Sequence, residues 1–328
     1  QDIKLDSTII EENIPVKYSD YRFRCDSVFY RVNKFYNIVA AKVTNSDTSM
    51  TIENFKLVPR YSRAAFTKAI PLERDLFSIA VRKISVPSAE WGYLGKVLYV
   101  HTPKLIMDNV HANIYRNKIP KDDPSAKKMY SQLLRSLDFD LKADRVLLKN
   151  SLIEYEEQVD FTKPAAKVTF AKLYGTIYNV YSPVNKKKIP TTVIDTKSIF
   201  MGTTPAIVVW SFNIMNKNDA FTVKGNMGPI KAETLDAVSK PLMNVATTGL
   251  LKHTAFQING NRNAATGKLA INYEGLKAAV YEDDDPKNKR KLLSALGNLV
   301  IKNDSDGQLK YTDISVTRAK DKSFFNFL

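Results

Sequence analysis

The chain of 328 residues carries 49 Lys and Arg against 34 Asp and Glu, a net charge of +15, and 44% of it is hydrophobic. A chain of this size buries roughly three quarters of its unfolded surface and folds without disulfides, and its single cysteine, Cys25, excludes an internal bridge. The positive balance favours anionic partners such as nucleic acid, lipid head groups or lipopolysaccharide, while no run approaches the roughly 18 apolar residues of a membrane span.

The chain opens at Gln1 with no methionine, so we expect a membrane anchor or signal ahead of it in the intact protein. Through the first half, DYRFRCDSVFYRV (20–32), TIENFKLVP (51–59), FSIAVRKISV (77–86), the long run 96–116 and KADRVLLKNSLIEYEE (142–157) show short apolar alternation broken by Gly, Asn, Asp and Pro. That is the pattern of antiparallel strands with one buried face. The segment 123–137, DPSAKKMYSQLLRSL, predicts a helix, and the basic loop 186–190 reads as the softest break between halves. The domain expectation is a strand-rich part over 1–145 and a second β region over 146–328, or one continuous domain.

In the second half the alternation is clearest. Val208, Trp210 and Phe212 share one side of a strand, Phe221 and Val223 one side of the next, and Phe256 and Ile258 follow. Leu269, Ile271 and Tyr273 occupy odd positions, whereas Leu276, Ala278 and Val280 occupy even ones, so the phase changes at Gly275, which predicts a bulge or bend. A helix is expected over 235–245. Another is expected over 286–301, where Asp285 suits the N-cap and Pro286 the first helical position. Its Leu292, Leu293, Leu296, Leu299 and Val300 form an apolar side, with Lys287, Lys289, Arg290 and Lys291 clustered at its start. The fold expected is mainly β: a long, bent antiparallel sheet forming an open groove, capped by a few short helices.

The motifs of common chemistries are missing. Three histidines, His101, His111 and His253, lack zinc-site spacing, and no phosphate loop, dinucleotide fingerprint or nucleophile elbow occurs. Glu154, Glu156 and Glu157 suit a solvated strand better than a glycosidase pair, and Cys25 has no neighbouring cue for thiolate activation. We therefore expect no catalytic residue, metal or cofactor. Nucleic acid is disfavoured because the basic residues of 286–301 gather at one end instead of along a face.

The runs 155–180, FMGTTPAIVVWSFNI (200–214), NDAFTVKGNMGPI (218–230), LDAVSKPLMNV, KLAINYEGLKAAVY, NKRKLLSALGNLVIKND (288–304) and DKSFFNFL (321–328) resemble, in that order, the C-terminal portion of AsmA-like proteins of the Gram-negative envelope. The match spans roughly 145–328, with looser similarity upstream. The resemblance implies a protein anchored in the inner membrane and projecting into the periplasm, related to groove-forming proteins that move or organise lipids, with lipid or lipopolysaccharide as partner. It brings no catalytic residues. On this reading Val208, Trp210, Phe212, Phe221, Val223, Phe256, Ile258, Leu269, Ile271 and Tyr273 line a lipid groove, and Lys287, Lys289, Arg290 and Lys291 meet anionic head groups. A scaffold with a filled core and no lipid site is the alternative.

Overall fold

Alternating apolar residues over so many short runs demand partners on both strand edges, and the chain supplies them from itself. The computed structural model describes residues 22–46, 48–280, 304–322 and 324. Eighteen strands among them join into one open, mostly antiparallel sheet. At one edge lie β1 (Arg22–Cys25), β2 (Val28–Arg31), β3 (Tyr36–Ala40) and β4 (Lys42–Ser46), which lean on β5 (Met50–Pro59). From β5 the order runs to β6 (Arg74–Val86), β9 (Leu105–Asn117), β10 (Asp140–Gln158), β11 (Ala166–Tyr181), β12 (Thr192–Phe200), β13 (Thr204–Phe212) and β14 (Phe221–Met227). It continues through β16 (Val245–Gly260) and β17 (Ala264–Val280) to β18 (Lys310–Thr317). The short hairpin of β7 (Glu90–Leu94) and β8 (Val97–Thr102) attaches beside the start of β10, and β15 (Ile230–Lys231) attaches to β16. Position 145/146 falls inside β10, so the two sequence regions share one sheet without a seam.

Several neighbouring strands break alternation at the same level. Asn54 of β5, Asn109 of β9, Asn150 of β10 and Lys172 of β11 all have positive φ, between 43° and 54°. The register places Asn54 and Asn109 on either side of Arg82, with Asn150 and Lys172 continuing the line. Asparagine tolerates this left-handed backbone better than most residues because its side chain bonds locally. At each step two successive residues point outward, such as Glu53 with Asn54, Asp108 with Asn109 and Lys149 with Asn150, so the apolar side chains before and after stay on one face. The result is a transverse crease. Gly275, with φ 58°, lies beside a register shift between β16 and β17, which accounts for the phase change read there.

Strands β9 and β10 are parallel, so the chain between them must travel back along their length. This crossover, 118–139, lies against the inner face. Flat, the ten strands from β6 to β18 would set the two outermost about 43 Å apart. Yet the Lys322 ammonium, five residues after β18, lies 2.7 Å from Asp122 in the crossover and 3.8 Å from Glu73, just before β6. Lys127 N–H donates to Lys320 O at 2.7 Å and Arg318 Nη2 donates to Lys127 O at 2.6 Å. The sheet therefore bends around the crossover, and the face carrying it is concave.

The helices are shorter than, or offset from, their predicted spans. In place of 123–137 there is α2, Tyr130–Arg135. The preceding residues stay extended because Lys127 is tied to Lys320 and Asp123 closes a local turn onto Ser125 N–H. In place of 235–245, a 3-10 turn Ala232–Leu235 leads into α3, Asp236–Met243, which stops at left-handed Asn244. A further helix, α1 (Arg63–Ala69), was not foreseen; it packs Phe66 against Phe35, Ile70, Leu76 and Tyr115 on the outer face. The span 286–301 lies outside the described residues, apart from which the mainly β expectation agrees with the sheet.

Candidate functional site

Register rather than local sequence defines the concave face. One rung of side chains crosses almost the whole sheet: Val43, Ile52, Ile84, Met107, Leu148, Gly175, Thr196, Val208, Gly225, Phe256 and Leu269, each the direct cross-strand partner of the next. All are apolar or small, and all but Gly225 are half-buried. A second rung beside it contains Leu105, Val146, Ile177, Ile194, Trp210, Val223 and Ile258. The opposite face is mixed, carrying Lys83, Asp108, Lys149, Asp195 and Lys224 beside the exposed Tyr174, Tyr178 and Ile207. A run of partly exposed apolar side chains on the inner face of a single-layer sheet is a surface that something other than a second layer of that sheet can cover.

All ten predicted groove residues fall on this face. Val208, Trp210, Phe256 and Leu269 are half-buried; Phe212, Phe221, Val223, Ile258, Ile271 and Tyr273 are buried. The difference has a cause. At one end, α2 and its flanks lower Met129 onto Phe212, Ile214, Phe221, Val223 and Ile258, with Phe324 completing the cluster. Phe324 stacks on Trp210 at 4.7 Å between ring centroids and 9° between planes, while Tyr130 meets Trp210 edge-on at 5.0 Å. Asp219, fully buried, fixes this plug: it accepts from Arg135 Nη2 at 2.6 Å and from Ser131 Oγ at 3.0 Å, with Arg262 Nε at 3.3 Å. At the other end the 3-10 turn and α3 rest on β16, where Thr247 donates to Ala232 O and Asp236 accepts from its N–H at 2.8 Å. Burial would raise the Asp236 carboxyl, but hydrogen bonds from Thr247 and Lys240 hold it below the usual range.

Two glycines shape the floor. A side chain at Gly225 would strike the Phe256 ring and one at Gly260 the Phe221 ring, so both rings lie flat across the neighbouring strand.

The polar clusters are ion-paired. Glu156 accepts a two-pronged bond from Arg63, at 2.6 and 2.9 Å, and a third from Asn113 Nδ2 at 2.6 Å. Glu154 meets His111 Nε2 at 2.7 Å and Lys167 at 2.5 Å. His101 lies 3.2 Å from Asp140, which Lys186 also engages. Burial pushes the carboxyls of Glu154, Glu156 and Asp140 upward, and the hydrogen bonds from these partners more than reverse it, leaving each below its ordinary value. Among the described residues no cluster of three His, Cys, Asp or Glu is arranged to hold a metal, and no helix there is long and apolar enough to cross a membrane.

Lys287, Lys289, Arg290 and Lys291 lie outside the described residues. What sequence reading missed is the first-half share of the face, Ile52, Ile84, Met107 and Leu148, because the crease interrupts simple alternation. The signal was present as paired outward polar residues between apolar stretches. No family model matches the chain, and no curated protein does.

Proposed function

We propose that this is a non-enzymatic envelope protein of AsmA-like type, facing the periplasm, whose concave face holds lipid acyl chains or helps organise the outer membrane. One observation carries the reading: every member of the apolar rung from Val43 to Leu269 except Gly225 keeps part of its surface exposed, between a plug at one end and α3 at the other. Each methylene transferred from water onto such a surface contributes about 0.8 kcal/mol, so a chain laid along several strands is held by area alone.

The stacked Trp210 and Phe324 favour a second reading, a scaffold whose interior is filled by its own side chains. One experiment separates the two. Protein purified from bacterial membranes is analysed by native mass spectrometry and lipid extraction, together with Val208→Asp and Ile84→Asp, which place a carboxylate near either end of the exposed rung. Lipid in the parent and a loss of more than about tenfold in variants that keep their β signal and melting temperature, equivalent to two displaced methylenes, supports the groove. No lipid in the parent, or equal lipid in the variants, leaves the scaffold.

A further inference from the structure

Where the crossover passes the start of β6, a cleft of about 840 Å³ opens at the end of the sheet, between Phe35, Tyr36 and Ile70 of the outer cluster and Phe77 and Leu133 on the crossover's side. Phe77 is paired with Ile114, and Ile114 with Tyr155, on the inner side, so through Phe77 the cleft reaches the apolar face. Its charged residues divide into two groups. Arg116 is committed to Glu73 at 2.8 Å and Asp75 at 3.0 Å, and Lys127 to Asp123. Lys34 and Arg74 have no carboxylate within ion-pair distance among the described residues; they lie 4.9 and 5.1 Å from the centre of the Phe35 ring, and both are exposed.

Two uncommitted cations on one aromatic ring, at the mouth of an apolar cleft whose acids are already neutralised, make a site with a net demand for negative charge. The Phe35 ring holds both without neutralising either. A small inorganic anion would leave the apolar walls unmatched, and a neutral hydrocarbon would leave the cations unmatched. An anionic amphiphile satisfies both.

We propose that Lys34 and Arg74 bind the anionic head group of a lipid whose acyl chain enters along Phe77 and the concave face. This rests on the acyl-chain reading above and adds selectivity by charge. Arg74 offers a planar fork to phosphate or carboxylate oxygens, and Lys34 a point charge beside it.

The test incubates the full chain with vesicles of phosphatidylglycerol or of phosphatidylcholine and measures the lipid retained after gel filtration, for the parent and for Lys34→Gln/Arg74→Gln. Both side chains are exposed, so the variant folds as the parent does, which its melting temperature checks. We expect the parent to retain the anionic lipid about two- to fivefold better, the effect of an exposed ion pair or two, and the variant to retain both lipids equally. Equal retention by the parent, or a preference that survives in the variant, overturns the head-group site while leaving acyl binding in place. Retention of neither lipid overturns the acyl reading and this site with it. Inorganic phosphate, added alone in a parallel titration, overturns the amphiphile assignment if it binds with the same dependence on Lys34 and Arg74 while the lipids do not.

Discussion

Glu156 shows how a side chain from an unremarkable strand acquires a structural duty. It is 8% exposed and faces outward, where Arg63, 93 residues earlier, reaches it from α1. Arg63 also lies over the Tyr115 ring at 4.2 Å, so one guanidinium joins helix, strand and carboxylate. Arg63→Ala strands a nearly buried charge with Asn113 as its hydrogen-bond donor and Lys167, already paired to Glu154, across the strand. We expect a loss of about 1–2 kcal/mol in urea unfolding, and Arg63→Ala/Glu156→Gln should recover part of it because the stranded charge is gone. In sequence, Glu154 and Glu156 were legible as polar strand residues. Their partners were not, since Arg63 and His111 reach them only through long-range pairing that no local pattern encodes.

Among the elements, the crease is the feature that lets the first half of the sheet share a face with the second. Asn150 sits in the middle of a 19-residue strand with φ 43°, a conformation that a β-branched side chain resists. Asn150→Val should cost about 1–2 kcal/mol, whereas Asn150→Gly, which accepts positive φ freely, should stay within a few tenths of the parent. Chemical denaturation of both distinguishes a backbone requirement from a side-chain one; equal losses would point to the lost amide instead. The strands of the second half were easy to read because Val208 to Phe212 and Phe221 to Val223 alternate without interruption. Those of the first half kept their existence but lost their facing, because pairs such as Glu53 with Asn54 shift the phase by one. Helix ends were misread where tertiary ties, such as that of Lys127 to Lys320, outcompeted local propensity.

For the molecule as a whole, acid is the natural stress. Asp140, Glu154, Glu156 and Asp236 are all held below their ordinary values in the folded chain, despite burial, by bonds to cations and amides. A carboxyl depressed on folding lends stability that is fully present above its unfolded value and is lost as pH falls through the folded one. Unfolding free energy should therefore be nearly flat from neutrality to about pH 5 and should fall steadily below about pH 4. Urea midpoints across that range check this, and Glu156→Gln should shallow the slope. The bend of the sheet, in contrast to its strands, could not be read from the sequence. It follows from contacts such as Lys322 with Glu73, whose members lie at far ends of the chain.

The crossover also imposes an order of events on biosynthesis. Its carbonyl at Lys127 is claimed by Arg318, 191 residues downstream, so the nascent polypeptide leaves the ribosome with β9 complete and its return path unfastened. Until Arg318 and Lys320 are made, the strap is held only by its later half, through Asp219, and the oily trough beside its free end stands open to whatever the cell offers first, a chaperone or a greasy ligand.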